Sequence, residues 1–227
     1  MTGTIVIASR NPNKVAEIRE ILGSKWRYLS LRDLPAAPEV VEDGNTFAAN
    51  ATKKAVQVAE WFCGAGFLEE KDKAWVLADD SGLEVDALNL APGVNSARFA
   101  AMDSGGFGNS TDAENNEKLI RMLASVADTA RTARFRCVLA VVPVTGADRN
   151  ASNACKANEL ELVTQLFEGK CEGHILKQER GMNGFGYDPL FVPNGYGQTF
   201  AQLGDTVKNR LSHRAQALAK ARAKLLI

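Results

Sequence analysis

No sign of charge predominates in this chain, where 27 lysines and arginines balance 27 aspartates and glutamates. With no global basic field, composition gives no support to binding nucleic acid or an anionic membrane surface, although a local cluster would suffice for a small polyanion. Histidine is scarce: His174 and His213 are the only two. Covalent catalysis by a Cys–His or Ser–His pair therefore has no pattern to rest on. The four cysteines, Cys63, Cys137, Cys155 and Cys171, show neither CxxC nor metal-ligand spacing. They read as free thiols of a reducing compartment. No apolar run reaches membrane-spanning length, about 20 residues, and Met1 to Val6 reads as the lead into a strand rather than as a leader peptide. The cytoplasm is the expected compartment. Internal repeats and low-complexity tracts are also missing.

What is present is an ordinary globular composition, 45% hydrophobic and 24% charged over 227 residues, enough for one large domain or two small lobes with a sizeable core. The rest of the chain is organised around Ala78-Asp79-Asp80-Ser81-Gly82-Leu83. Ala74 to Leu77 reads as a short buried strand, so the paired carboxylates are expected where it ends, followed by a tight turn at Gly82. In open α/β sheets that is where ligands bind. Leu83 to Leu88 reads as the return strand of a hairpin.

Ile5 to Ala8 reads as a first buried strand, followed by Ser9-Arg10-Asn11-Pro12-Asn13-Lys14 and a helix with Val15, Ile18, Ile21 and Leu22 on one face. Asn11 is a candidate cap and Pro12 suits the first helical position. Lys14 then sits in the first turn, where a cation opposes the macrodipole. It is either a surface lysine or, with the free N–H groups of the turn, a phosphate site; on the phosphate reading its removal should not lower stability. Trp26 to Leu31 reads as a second strand, and a helix from Phe47 to about Phe62 follows Glu42-Asp43-Gly44-Asn45-Thr46. Asp43 reads as favourable charge near that helix start. Thr111 to Glu114 has capping-box form, opening a helix with no chemistry in it. Phe135 to Val142 reads as a central strand, 145–157 as a polar loop, and Leu160 to Val163 with the segment around Leu166 as strands. Ser96 and Arg98 are candidates to face a cleft. In Gly184-Phe185-Gly186-Tyr187-Asp188-Pro189, glycines interleave with aromatics, so backbone can approach a flat ligand while rings cover its faces. A last helix starts near Ser212, with His213 and Arg214 in its first turn. Two sets of cations at helix starts of a neutral protein suggest an anion between them.

These motifs together resemble the inosine triphosphate pyrophosphatase family, enzymes that remove non-standard purine nucleoside triphosphates. The matching pieces are Ser9 to Lys14, Glu42 to Phe47, Ala78 to Asp86, Pro92-Gly93-Val94 with Ser96-Ala97-Arg98, Gly184 to Pro189, and Ser212-His213-Arg214. They follow the family's order over almost the whole chain. The resemblance implies an α/β fold, a mixed twisted sheet with flanking helices forming one domain of two lobes around a central substrate cleft. It also implies a homodimer and Mg²⁺-dependent release of pyrophosphate from ITP, dITP or XTP, with no nucleic-acid or membrane partner. Carried over by motif, Asp80 is proton acceptor and metal ligand, and Glu42 the other metal ligand. Substrate contacts fall to Ser9, Arg10, Asn11, Pro12, Asn13, Lys14, Ser81, Phe185, Gly186, Tyr187, Asp188, Lys208, His213 and Arg214. One departure stands out: Ala49 precedes Asn50-Ala51 where the family often has a glutamate.

The residue types suit that chemistry. Carboxylate oxygens fit Mg²⁺, which uses few protein ligands plus substrate phosphate, and a carboxylate can take the proton of an attacking water. The competing readings are an aspartyl-phosphate phosphatase and a nucleotide-binding regulator without turnover. Adjacent strand residues point oppositely, which disfavours the first.

Overall fold

A computed structural model describes residues 3–68, 72–105, 108–145 and 156–225. Among them a six-stranded mixed sheet has the order β2-β1-β3-β4-β5-β6. Its strands are β1 (Thr4–Ile7), β2 (Arg27–Ser30), β3 (Lys73–Val85), β4 (Thr132–Thr145), β5 (Gln165–Ile175) and β6 (Phe191–Pro193). The helices are α1 (Pro12–Leu22), α2 (Phe47–Gly64), α3 (Asp112–Met122), α4 (Ala157–Val163), α5 (Phe200–Leu203), α6 (Asp205–Leu211) and α7 (His213–Leu225). The chain divides into two compact units, Met1–Asp80 with Val138–Glu168 and Ala217–Ile227, and Ser81–Cys137 with Gly169–Gln216.

In the first unit β1 runs parallel to both β2 and β3, with Ile5 opposite Tyr28 on one side and Trp75 on the other. Parallel neighbours require a crossover, and α1 supplies it between β1 and β2. Asn11 caps α1 and Pro12 occupies its first turn, as the sequence predicts. The apolar stripe of α2 is buried throughout: Phe47, Ala51, Ala55, Val58, Ala59 and Phe62 all turn inward. Each large member contributes about 1.5–3 kcal/mol by leaving water. Thr46 closes the start of this helix by accepting from the Ala49 N–H.

The second unit has its own core, in which Phe135 meets Phe191 edge-on at 4.8 Å and Phe191 meets Phe200 at 5.3 Å. Leu83, Leu119, Leu123 and Leu190 fill the space around them with no exposure. β5 and β6 are antiparallel, with Gly173 opposite Pro193. A side chain at Gly173 would run into the Val192 carbonyl and the Phe191 ring, so glycine permits this close pairing.

Three elements differ from the sequence reading. The Asp79-Asp80-Ser81-Gly82 stretch is not a turn, because β3 continues through it for 13 residues. The apolar run was too short to reveal this; partners supplied by other segments let the strand carry polar residues at its centre. Consequently Leu83 to Val85 belongs to the same strand, not to a returning one, and Asp86–Leu88 is a 3₁₀ turn. Leu160 to Val163 lies in α4, a helix packed on α2 rather than a strand. Leu160 is its one buried residue, so no two-residue burial pattern exists there. The thiol reading also needs correction, since Cys63 is disulfide-bonded while Cys171 is a free thiol. The loop expected over 145–157 falls mostly outside the described residues. No helix among those described is long and apolar enough to cross a membrane.

Candidate active site

In the first unit the centre is Asp80, which is 5% exposed. Burial pushes its carboxyl pKa from 3.8 up to about 6; Lys14 and Lys54 pull it back, Glu42 adds to the rise, and an Asn50 hydrogen bond lowers it. Its Oδ2 is buried without a hydrogen-bond partner among the described residues. A buried acceptor left unmatched costs about 1–3 kcal/mol, and such groups persist where a ligand or reaction needs them.

The neighbours of Asp80 are themselves held. Lys14 Nζ reaches Asp79 Oδ1 at 2.6 Å, and the Asp79 side chain is wholly buried. Lys54 Nζ reaches Glu42 Oε1 at 2.5 Å. Asn50 accepts from the Gly44 N–H at 2.7 Å, fixing the segment that bears Glu42. Asp43 pairs with Lys53 at 2.7 Å rather than acting on the helix start alone. Lys54 and Asn50 were missed by the sequence reading. The signal was available: both fall on the inward stripe of α2, where an uncommitted polar residue is unexpected.

The loop from Ser9 to Lys14 is tied together locally. The Asn11 N–H donates to Ser9 Oγ at 3.1 Å. Asn11 Oδ1 accepts from the N–H groups of Asn13 at 2.9 Å and Lys14 at 3.2 Å. Those amides are thus occupied, and Pro12 has none, so the expectation of free helix-start N–H groups for a phosphate is corrected. Arg10 donates to the carbonyls of Leu31 and Ala37, both at 2.9 Å, which braces the segment after β2. Lys14 proves to be the counter-ion of a buried carboxylate, neither a surface lysine nor an unmatched cation.

The second unit gathers the remaining candidates. Arg214 Nη2 donates to Ser81 Oγ at 3.0 Å, and its guanidinium lies 5.8 Å from the Phe185 ring centre. Lys208 Nζ binds Asp188 Oδ2 at 2.5 Å with both side chains almost fully buried, and lies 4.3 Å from the Phe185 ring centre. Such contacts are cation–π attractions. Asp188 Oδ2 also accepts from the Phe185 N–H at 2.9 Å. His213 stacks on Phe135 with ring centres 4.9 Å apart. Tyr187 is buried, donates to the Ser96 carbonyl at 2.9 Å, and has its pKa raised by that burial. Of the two aromatics read as base platforms, Phe185 is the half-buried one and Tyr187 belongs to the core. Ser96 likewise serves backbone, accepting from the Leu83 N–H at 2.9 Å. The helix-start cations Lys14 and Arg214 each meet a protein partner, Asp79 and Ser81. Their placement alone therefore does not require an anion between them.

Glu42 and Asp80 are two hard-oxygen donors, and Asp80 has an oxygen left over; this suits a small divalent cation completed by substrate oxygens. No cluster of three or more His, Cys, Asp or Glu side chains poised for a metal occurs among the described residues. A buried carboxylate with a raised pKa, mostly ionised at neutral pH, can accept a proton.

Comparison with known proteins identifies the family and the fold. Residues 5–224 match the model of the Ham1 family. The dITP/XTP pyrophosphatase of Desulforamulus reducens is 45% identical, covering 96% of this chain and 92% of its own. That of Opitutus terrae is 40% identical, covering 94% of each. Among solved structures, a HAM1 protein from Coxiella burnetii superposes with a TM-score of 0.73 at 35% identity, over 98% of both chains. The nucleoside-triphosphatase (dITP/XTP pyrophosphatase) of Mycobacterium abscessus gives 0.64 at 38% identity, over 96% of this chain and 97% of that one. The motif resemblance is thereby borne out along the whole length, and the chain belongs to the Ham1 family.

Proposed function

We propose that this protein hydrolyses non-standard purine nucleoside triphosphates (ITP, dITP and XTP) to the monophosphate and pyrophosphate, with Mg²⁺ as cofactor. On this reading each chain is one domain of two lobes around a substrate cleft, working as a homodimer in the cytoplasm. Hydrolysis of nucleoside triphosphates is supported by the relatives named dITP/XTP pyrophosphatase. The observation that carries the proposal is the buried Asp80 carboxylate with an unmatched oxygen, set among Lys14, Lys54 and Glu42.

A water oxygen bonds to phosphorus as the bond to the leaving group breaks, and Asp80 takes the proton that the water gives up. With a pKa near 6 the carboxyl is mostly ionised at neutral pH yet basic enough to accept. Lys14 and Lys54 stabilise phosphate charge, and Asp79 and Glu42 keep those ammonium groups aimed. Glu42 and Asp80 would hold Mg²⁺, which when bound neutralises phosphate charge and orients the water. Phe185, with Lys208 and Arg214 against its ring, offers the flat surface for a purine.

The deciding experiment is incubation with ITP and Mg²⁺, with products resolved by ion-exchange chromatography. We expect one pyrophosphate per inosine monophosphate, and no turnover after chelation. Release of orthophosphate as first product, or a trapped phospho-enzyme, would overturn the assignment in favour of a phosphatase.

A further inference from the structure

The segment carrying Phe185 is intrinsically loose. Gly184 and Gly186 both adopt positive φ, 77° and 62°, a region glycine enters freely and leaves as freely. Yet consecutive backbone groups here are tied. The Phe185 N–H goes to Asp188, as described above. The Gly186 N–H donates to Asp112 Oδ2 at 2.7 Å, and the Gly186 carbonyl accepts from Asn116 Nδ2 at 3.1 Å. Asn116 Nδ2 also donates to Glu179 Oε1 at 2.7 Å.

Both gripping side chains come from α3, four residues apart and therefore on one face. The helix is a firm support. Thr111 and Glu114 form its capping box, and Leu119 beyond them is fully buried. Asn116 is only 3% exposed, and its Oδ1 is buried without a partner among the described residues. A leucine would remove that unmatched acceptor, but with it the donor that reaches Gly186 and Glu179. The position keeps an amide for its donor, and that donor points at Gly186.

We propose that Asp112 and Asn116 are positioning residues that set the angle at which Phe185 meets the substrate's base. This rests on the reading of Phe185 as the base platform and adds the residues that hold it. Their loss blurs the platform and weakens recognition of the base while leaving the handling of phosphate intact.

The test compares Asp112→Ala, Asp112→Asn, Asn116→Leu and Phe185→Ala in the full-length protein with Mg²⁺. Two quantities are read: KM and kcat for ITP, and the inhibition constant of inorganic tripolyphosphate, which has no base. For Asp112→Ala and Asn116→Leu we expect KM for ITP to rise about fivefold to tenfold, the effect of one or two hydrogen bonds. In both, kcat and the tripolyphosphate constant should stay within about twofold of the parent. Asp112→Asn retains an acceptor oxygen and should restore most of the loss. Because Asp112 is exposed, its variants remain informative if Asn116→Leu does not fold. An unchanged KM in Asp112→Ala, with Phe185→Ala raising it, would overturn the grip and leave the platform standing. If Phe185→Ala also leaves KM unchanged, the platform reading itself fails. Equal weakening of ITP and tripolyphosphate would show a general structural role and overturn the proposal.

Discussion

Asp80 is held where burial favours its neutral form, and this has an energetic sign. Its folded pKa, about 6, lies above the ordinary 3.8. The native state therefore binds the proton more tightly, and the stabilisation is complete below about pH 4 and lost as pH rises through 6. In chelator-treated protein we expect stability to fall across that window, by up to roughly 3 kcal/mol from this group. Asp80→Asn should abolish the slope and raise Tm at neutral pH by on the order of 5 °C, while lowering turnover at least about a hundredfold. Thermal melts from pH 4 to 8, beside ITP turnover, check both; a folded Asp80→Asn protein with normal turnover would remove Asp80 from the chemistry. Lys14 has the opposite character. Taken from the sequence as dispensable for stability, it is the ion-pair partner of an Asp79 side chain with no exposure. Lys14→Met should cost stability, toward the low end of the about 3–5 kcal/mol for breaking a buried pair. Adding Asp79→Leu should recover much of that stability without recovering activity. A double-mutant cycle in urea measures the coupling, and strict additivity would show that the pair contributes nothing.

At the scale of elements, the loop before β6 relies on its glycines, Gly184 among them. A side chain on Gly184 would meet the Asp188 carboxylate, and the positive φ adds backbone strain. Gly184→Ala should therefore loosen Asp188 from Lys208 and Phe185 together, costing about 1–2 kcal/mol from the left-handed backbone alone. It should also raise KM for ITP; a variant with parental Tm and KM would show that the loop tolerates another path. The same scale shows what could be read in advance. Helices α1 and α2 were legible because caps and apolar stripes are local signals, and the Thr111 box marked α3 for the same reason. The course of β3 was not, because an Asp-Asp-Ser-Gly run reads as a turn unless Lys14, Asn50 and Arg214 are known to meet it. Those residues all lie 30 or more positions away along the chain, and nothing local announces them. The short α4 failed for lack of a stripe. Asp112 and Asn116 were passed over because their bonds to Gly186 end on backbone, which no side-chain motif records.

For the molecule as a whole the sharpest expectation concerns substrate choice. ATP presents a 6-amino donor where ITP presents a 6-keto acceptor, and each buried group left unmatched costs about 1–3 kcal/mol. We expect kcat/KM for ITP and XTP to exceed that for ATP by roughly a hundredfold or more, with GTP, which keeps the 6-keto group, rejected less. The four constants at one Mg²⁺ concentration decide it, and equal values for ITP and ATP would mean that the 6-position is not read. The division into two units falls between Asp80 and Ser81, inside β3. A peptide bond thus separates the carboxyl that lies among Lys14 and Lys54 from the hydroxyl that meets Arg214, and along a strand neighbours point to opposite sides. For heredity this makes β3 a reading frame within the protein. Substitutions there can have graded effects, but the loss of one codon would turn every later side chain to the wrong side. A library of single-codon deletions across β3 should yield no active clone.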